Sequence, residues 1–144
     1  MREVVTSIEI RAKKEAVWST LMDFPAYPEW NPFITQIAGR VAVGHRLQVH
    51  MTLHKGHVSV FSPIIDLVVP FGELSWSGHL WVPGLFDGEH RFVLESAGDG
   101  VTRFVQSERF SGLLAALWGW TLRSQVCAGF ESMNQALRER VEGR

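Results

Sequence analysis

The sequence predicts an α+β domain, a run of antiparallel strands covered by one long C-terminal helix. Three observations carry this. Much of the chain before Gly112 alternates apolar and polar residues at the period of two that half-buried strands show. Turn signals, Lys55-Gly56 and Gly98-Asp99-Gly100, separate runs that can pair as hairpins. The last stretch, Gly112 to Arg144, has no proline and changes to helical period, with Trp118, Leu122, Val126, Gly129, Met133, Ala136 and Leu137 on one face. Arg123, Glu131, Asn134, Gln135 and Arg138 fall on the other sides. Read as one helix, this stretch would run about 45 Å. It cannot bury its face alone, so the strands must supply the surface it lies on.

Composition narrows the function classes. The 144 residues suit one domain with a substantial core. A net charge of −1 and a pI near 6.6 give no electrostatic footprint for nucleic acid. The single cysteine, Cys127, permits no intrachain disulfide and suits a reducing compartment. The first residues lack the apolar core of a signal peptide. The longest apolar run, Leu113 to Leu122, is too short to span a bilayer. These features predict a cytoplasmic protein without stable membrane insertion. Six tryptophans and nine phenylalanines supply large contact area, for a core or around an apolar ligand.

Taken in order, Val4 to Ile10 alternates as a strand, with Val4, Thr6, Ile8 and Ile10 on one side. Lys13 to Met22 follows as a short helix with Ala16, Val17 and Leu21 inward. Asp23 to Pro32 carries three prolines and forms a turn-rich corner with room for one helical turn, pinned by Phe24, Tyr27 and Trp30. Phe33 to Ala38 is a strand ended at Gly39. Leu47 to Leu53 and Val58 to Phe61 flank Lys55-Gly56. A two-residue turn there pairs Leu53 with Val58 and Met51 with Val60 on one face, and His54 with His57 on the other. Pro63 marks a bulge or an edge before Ile64 to Val69. After Pro70-Phe71-Gly72, the residues Leu74, Trp76, Gly78 and Leu80 share one face of a strand.

Phe86 to Phe110 forms the most informative hairpin. A three-residue loop sets Leu94 opposite Phe104, Phe92 opposite Gln106, His90 opposite Glu108 and Glu95 opposite Arg103. This register matches apolar with apolar and charge with opposite charge, which the two-residue alternative does not. It places His90, Gln106 and Glu108 on the inner face, under the long helix.

Several segments then resemble the START/Bet v 1-like (SRPBCC) superfamily, in particular its polyketide cyclase/dehydrase-like branch. They are Ile8-Glu9-Ile10-Arg11-Ala12 before Val17-Trp18, Tyr27-Pro28-Glu29-Trp30-Asn31-Pro32-Phe33, Leu74-Ser75-Trp76, Pro83-Gly84-Leu85-Phe86, Gly88-Glu89-His90-Arg91-Phe92 and Thr102-Arg103-Phe104 through Glu108. The likeness covers essentially the whole chain. It implies a helix-grip fold: a curved antiparallel sheet of about seven strands around the C-terminal helix, with two short helices after the first strand. It also implies a cavity that takes an apolar small molecule, and the first expectation is a binding protein for a lipid or polyketide-like ligand; with no P-loop or dinucleotide fingerprint in the sequence, no cofactor is expected. The family does not imply one chemistry.

Gly129, with Ala128 and Ala136, leaves room on the helix face for either a close strand backbone or a cavity. The resemblance favours the cavity. Its expected lining is Trp76, His90, Phe92, Phe104, Gln106 and Glu108 from the sheet, with Trp118, Leu122, Gln125, Gly129 and Met133 from the helix. His90 and Glu108 are read as a polar anchor, an acid/base pair, or a self-satisfied structural pair. Trp30 staples the corner to the core or lines the cavity mouth, and Asn31 makes a local turn bond. His50, His54 and His57 lack a carboxylate or cysteine at ligand spacing, so no metal is expected. Leu113, Leu117 and Trp120 form an outer apolar patch, to be covered by a Pro83–Asp87 lid or by a second subunit of a homodimer, or else free for membrane-surface contact.

Overall fold

The computed structural model describes residues 2–53, 56–80, 82–113, 115 and 120–143, without the side chains of Leu80, Trp120, Thr121 and Leu122. In chain order it contains β1 (Arg2–Ile10), α1 (Lys14–Met22), a 3-10 turn (Phe24–Ala26), α2 (Tyr27–Trp30), β2 (Ile34–Ala38), β3 (Gln48–Thr52), β4 (Val58–Phe61), β5 (Ile64–Val69), β6 (Glu73–Leu80), β7 (Phe86–Ser96), β8 (Thr102–Ser111) and α3 (Trp120–Glu142). The strands form an antiparallel five-stranded sheet, β1-β8-β7-β6-β5, and a three-stranded one, β2-β3-β4. The two are continuous. Arg46 pairs with Ile64 in the same register that sets Val49 opposite Phe61, and Leu47 N–H donates to the Pro63 carbonyl at 2.8 Å. β4 and β5 are therefore one strand bent at Ser62-Pro63, where the missing proline N–H interrupts the ladder. This bend makes eight strands of the expected seven and folds the sheet around α3.

The inner face is built in cross-strand rows. Ile65, Trp76, His90, Glu108 and Val4 form one; Val68, Leu74, Phe92, Gln106 and Thr6 form the next. The β7–β8 register matches the expected one at every pair, from Glu95 opposite Arg103 to His90 opposite Glu108. α3 lies across these rows and buries Val126, Phe130, Met133, Asn134 and Leu137.

Five expectations need correction. First, the described helix opens at Trp120, not Gly112. Gly112 takes a left-handed φ of 104° that only glycine adopts readily, and Leu113 follows in a turn. At 23 residues, α3 is about 35 Å long. Second, Asn134 is buried, only 2% exposed, and Phe130 joins the buried face, because the sheet offers polar partners beneath that face. Third, α1 turns Val17, Trp18 and Leu21 inward, while Ala16 is exposed. Fourth, the β3–β4 hairpin is shifted by one residue: Met51 lies opposite Ser59, Thr52 opposite Val58 and His50 opposite Val60. Leu53 N–H donates to the His57 carbonyl at 3.1 Å, closing a three-residue loop with Gly56 at φ 73°. The slip turns Met51 and Phe61 to the concave side and leaves Val58 and Val60 exposed. Fifth, of the alternatives for the outer patch the Pro83–Asp87 lid fails at Leu113, which is 80% exposed. The loop before β7 docks on it only through backbone, Leu113 N–H to the Gly84 carbonyl at 3.1 Å, and does not cover its side chain. Leu117 and Trp118 lie outside the described residues, as do the side chains of Trp120 and Leu122.

Candidate functional site

Between the concave sheet and the first half of α3 lies a cavity of about 300 Å³. Its walls come from Met51, Leu53 and Phe61 on β3–β4, Trp76 on β6, Phe86 and Phe110 on β7–β8, and Val126 and Phe130 on α3; Ser59, His79 and Glu108 are its polar members. The space exists because two neighbouring positions of one row, before Phe110, carry no side chains. Gly78 lies opposite Gly88, on the face that holds Trp76 and His90 in the next row. A Cβ on Gly88 would sit 2.5 Å from Glu108 Oε2, so this glycine makes room for the carboxylate. A Cβ on Gly78 would meet Pro63 at 3.3 Å. The facing Gly78 and Gly88 were the available sequence signal for the position of the cavity.

Gly129 serves a different purpose. A Cβ there would overlap the Phe33 ring, which lies against it and packs edge-on to Phe130 at 5.5 Å. The turn before β2 sets that ring in place. Asn31 Oδ1 accepts the backbone N–H groups of Phe33 at 3.0 Å and Ile34 at 2.9 Å. Trp30 packs edge-on to Tyr27 at 5.1 Å and joins the core rather than the cavity.

Glu108 is the polar end of a buried chain. Glu108 Oε1 is 2.6 Å from His90 Nδ1, and His90 Nε2 is 3.0 Å from Gln106 Oε1. Gln106 Nε2 donates to Asn134 Oδ1 at 2.8 Å, and Asn134 Nδ2 donates to Thr6 Oγ1 at 2.9 Å. Thr6 Oγ1 in turn donates to the Gln106 carbonyl at 3.3 Å. Because its one hydrogen is used there, the amide chain runs in a fixed direction and His90 Nε2–H is a donor. The imidazole is sealed by rings: Trp76 stacks on it at 5.0 Å, with Phe92 at 4.8 Å and Phe130 at 5.2 Å edge-on. His90 therefore reaches the cavity only through Glu108.

Of the expected lining, Trp76 and Glu108 face the cavity. His90 and Gln106 lie behind Glu108; Phe92, Phe104 and Met133 are packed in the core. Gln125 and Gly129 line a separate outer groove with Pro32, Phe33, Thr52, Leu53, Ala128 and Ser132. Sequence reasoning missed Met51, Phe61, Phe86, Phe110 and Phe130. For the first two the reason is the shifted hairpin register; for Phe130 it is a stripe drawn one position too narrow. His50 lies mid-strand on β3 opposite Val60, His57 just precedes β4, and His54 lies outside the described residues; no metal-ligating group of three His, Cys, Asp or Glu occurs among the described residues. No helix of the described residues is long and apolar enough to cross a membrane.

A family profile described as polyketide cyclase/dehydrase and lipid transport matches residues 1–142. The chain belongs to this family. The polyketide cyclase/dehydrase fold is also evident in solved structures. The Zhui aromatase/cyclase from Streptomyces sp. R1128 superposes with a TM-score of 0.78 at 17% identity, over 99% of this chain and 94% of that one. A START superfamily protein from Mycobacterium smegmatis gives 0.76 at 22% identity, over 98% and 97%. Ara h 8.0201 gives 0.75 at 16% identity, over 99% of each. At these identities the likeness establishes the helix-grip fold alone. No curated protein matches the sequence.

Proposed function

We propose that the protein binds an apolar small molecule, lipid or polyketide-like, in the cavity between sheet and α3, with Glu108 as its polar anchor. The observation that carries this reading is a cavity of about 300 Å³ walled by apolar side chains, with one carboxylate held in place by a buried network. The family's description names polyketide cyclisation or dehydration and lipid transport, both of which handle small organic molecules with carbon-chain or ring bodies, and this supports the same class.

Native mass spectrometry of the purified protein tests the reading, together with titration by the neutral apolar fluorophore N-phenyl-1-naphthylamine. A co-purified adduct or saturable fluorescence is expected, and both should be lost in Val126→Trp, which fills the cavity from α3. Saturation unchanged in Val126→Trp, or none in the wild type, would overturn the reading.

A second reading, acid/base catalysis on the bound molecule, draws on the His90–Glu108 contact. Glu108 is then the catalytic group and His90 its positioning partner, since only Glu108 meets the cavity. Glu108→Gln should abolish turnover with binding retained if the pair is catalytic. In the binding case, His90→Ala should lower affinity for polar-headed ligands; if the pair is merely structural, it should lower stability alone.

A further inference from the structure

The cavity's single carboxylate also limits which ligands fit, an inference that rests on the binding function proposed above. Glu108 Oε1 is committed to His90 Nδ1. Oε2 points toward Gly88 at the cavity wall and has no hydrogen-bond partner among the described residues. One proton lies between Nδ1 and Oε1. If the imidazole holds it, Glu108 is a carboxylate; if the carboxyl holds it, the proton is on Oε1, because Nδ1 must then accept. In both forms Oε2 offers only lone pairs to the cavity. A ligand that shuts water away from Oε2 without supplying a donor pays for the lost hydration, and an acceptor set against it costs more. The other nearby groups do not reverse this. Ser59 is across the cavity on β4, and His79 is exposed at the mouth.

We propose that the cavity selects ligands presenting a hydrogen-bond donor, a hydroxyl, phenol or ammonium on an apolar body, and rejects carboxylates such as ionised fatty acids. Gly88 is the specificity-determining partner: having no side chain, it leaves Oε2 open to the ligand.

The test is displacement of N-phenyl-1-naphthylamine from the full chain at about pH 8, where octanoate is ionised. The competitors are 1-octanol, octylammonium, octanoate and octyl methyl ether, which share one apolar body. Octanol and octylammonium should compete at least about tenfold better than octanoate and better than the ether, which lacks a donor. Glu108→Leu removes the acceptor and keeps an apolar wall, so octanol should lose its advantage over the ether. The wild-type comparison of octanol with the ether needs no variant, and stands if Glu108→Leu fails to fold. Equal competition by octanoate and octanol in the wild type would overturn this inference and leave the binding function intact. Failure of the probe to bind would remove the binding function, and this inference with it.

Discussion

Gly129 and Tyr27 show how single residues are fixed by what surrounds them. In an exposed helix, Gly129→Ala would stabilise by about 1 kcal/mol through helix propensity. Here the new methyl would overlap the Phe33 ring, and overpacking a core costs about 1–3 kcal/mol. The second effect wins, so the urea midpoint should fall with the slope unchanged. Tyr27 is the chain's one tyrosine, fully buried, with its hydroxyl donating to the Leu21 carbonyl at 2.8 Å. Burial pushes its phenol far above the ordinary value of 10.0. The fold favours the neutral form, so this contribution is fully present below pH 10.0 and is lost as pH rises beyond it. Tyrosinate absorbance should appear only together with unfolding, and Tyr27→Phe should flatten the fall in stability above that pH. A phenolate signal in the folded protein would contradict this.

At the scale of the element, α3 and the hairpins are decided by what they face. Helical period alone puts Asn134 among the polar sides, yet it is buried because Gln106 on β8 and Thr6 on β1 complement its amide. Asn134→Leu would leave the Gln106 Nε2 group without its acceptor. The expected cost is about 1–3 kcal/mol, read as a lower melting temperature with secondary structure retained. The two hairpins make the same point. β7–β8 has charges and aromatic rings on both strands, and only one register pairs Glu95 with Arg103 and Leu94 with Phe104. β3–β4 has short polar and β-branched residues that fit either register, so its pattern leaves the slip open.

Across the whole molecule, the cavity is a product of curvature. Its walls come from β3, β4, β6, β7, β8 and α3, brought together by the bend at Ser62-Pro63 and the facing Gly78 and Gly88. Gly88→Ala places a methyl against Glu108 Oε2, the free end of a side chain that can move. Thermal stability should therefore change little, while octanol should lose its advantage over octanoate in displacement of the fluorophore. A large fall in melting temperature would show instead that Glu108 cannot yield.

By itself the sequence determined the α+β class, the order of strands and terminal helix, the β7–β8 register and the meeting of His90, Gln106 and Glu108 on the inner face. These follow from local periodicity and from pairings that only one alignment satisfies. The tertiary structure alone decided where the void lies, that Phe33 fills the space beside Gly129, and that Asn134 completes the buried chain. Each of these depends on which distant surface arrives opposite a residue. A periodic pattern records which way a side chain points, but not what it meets.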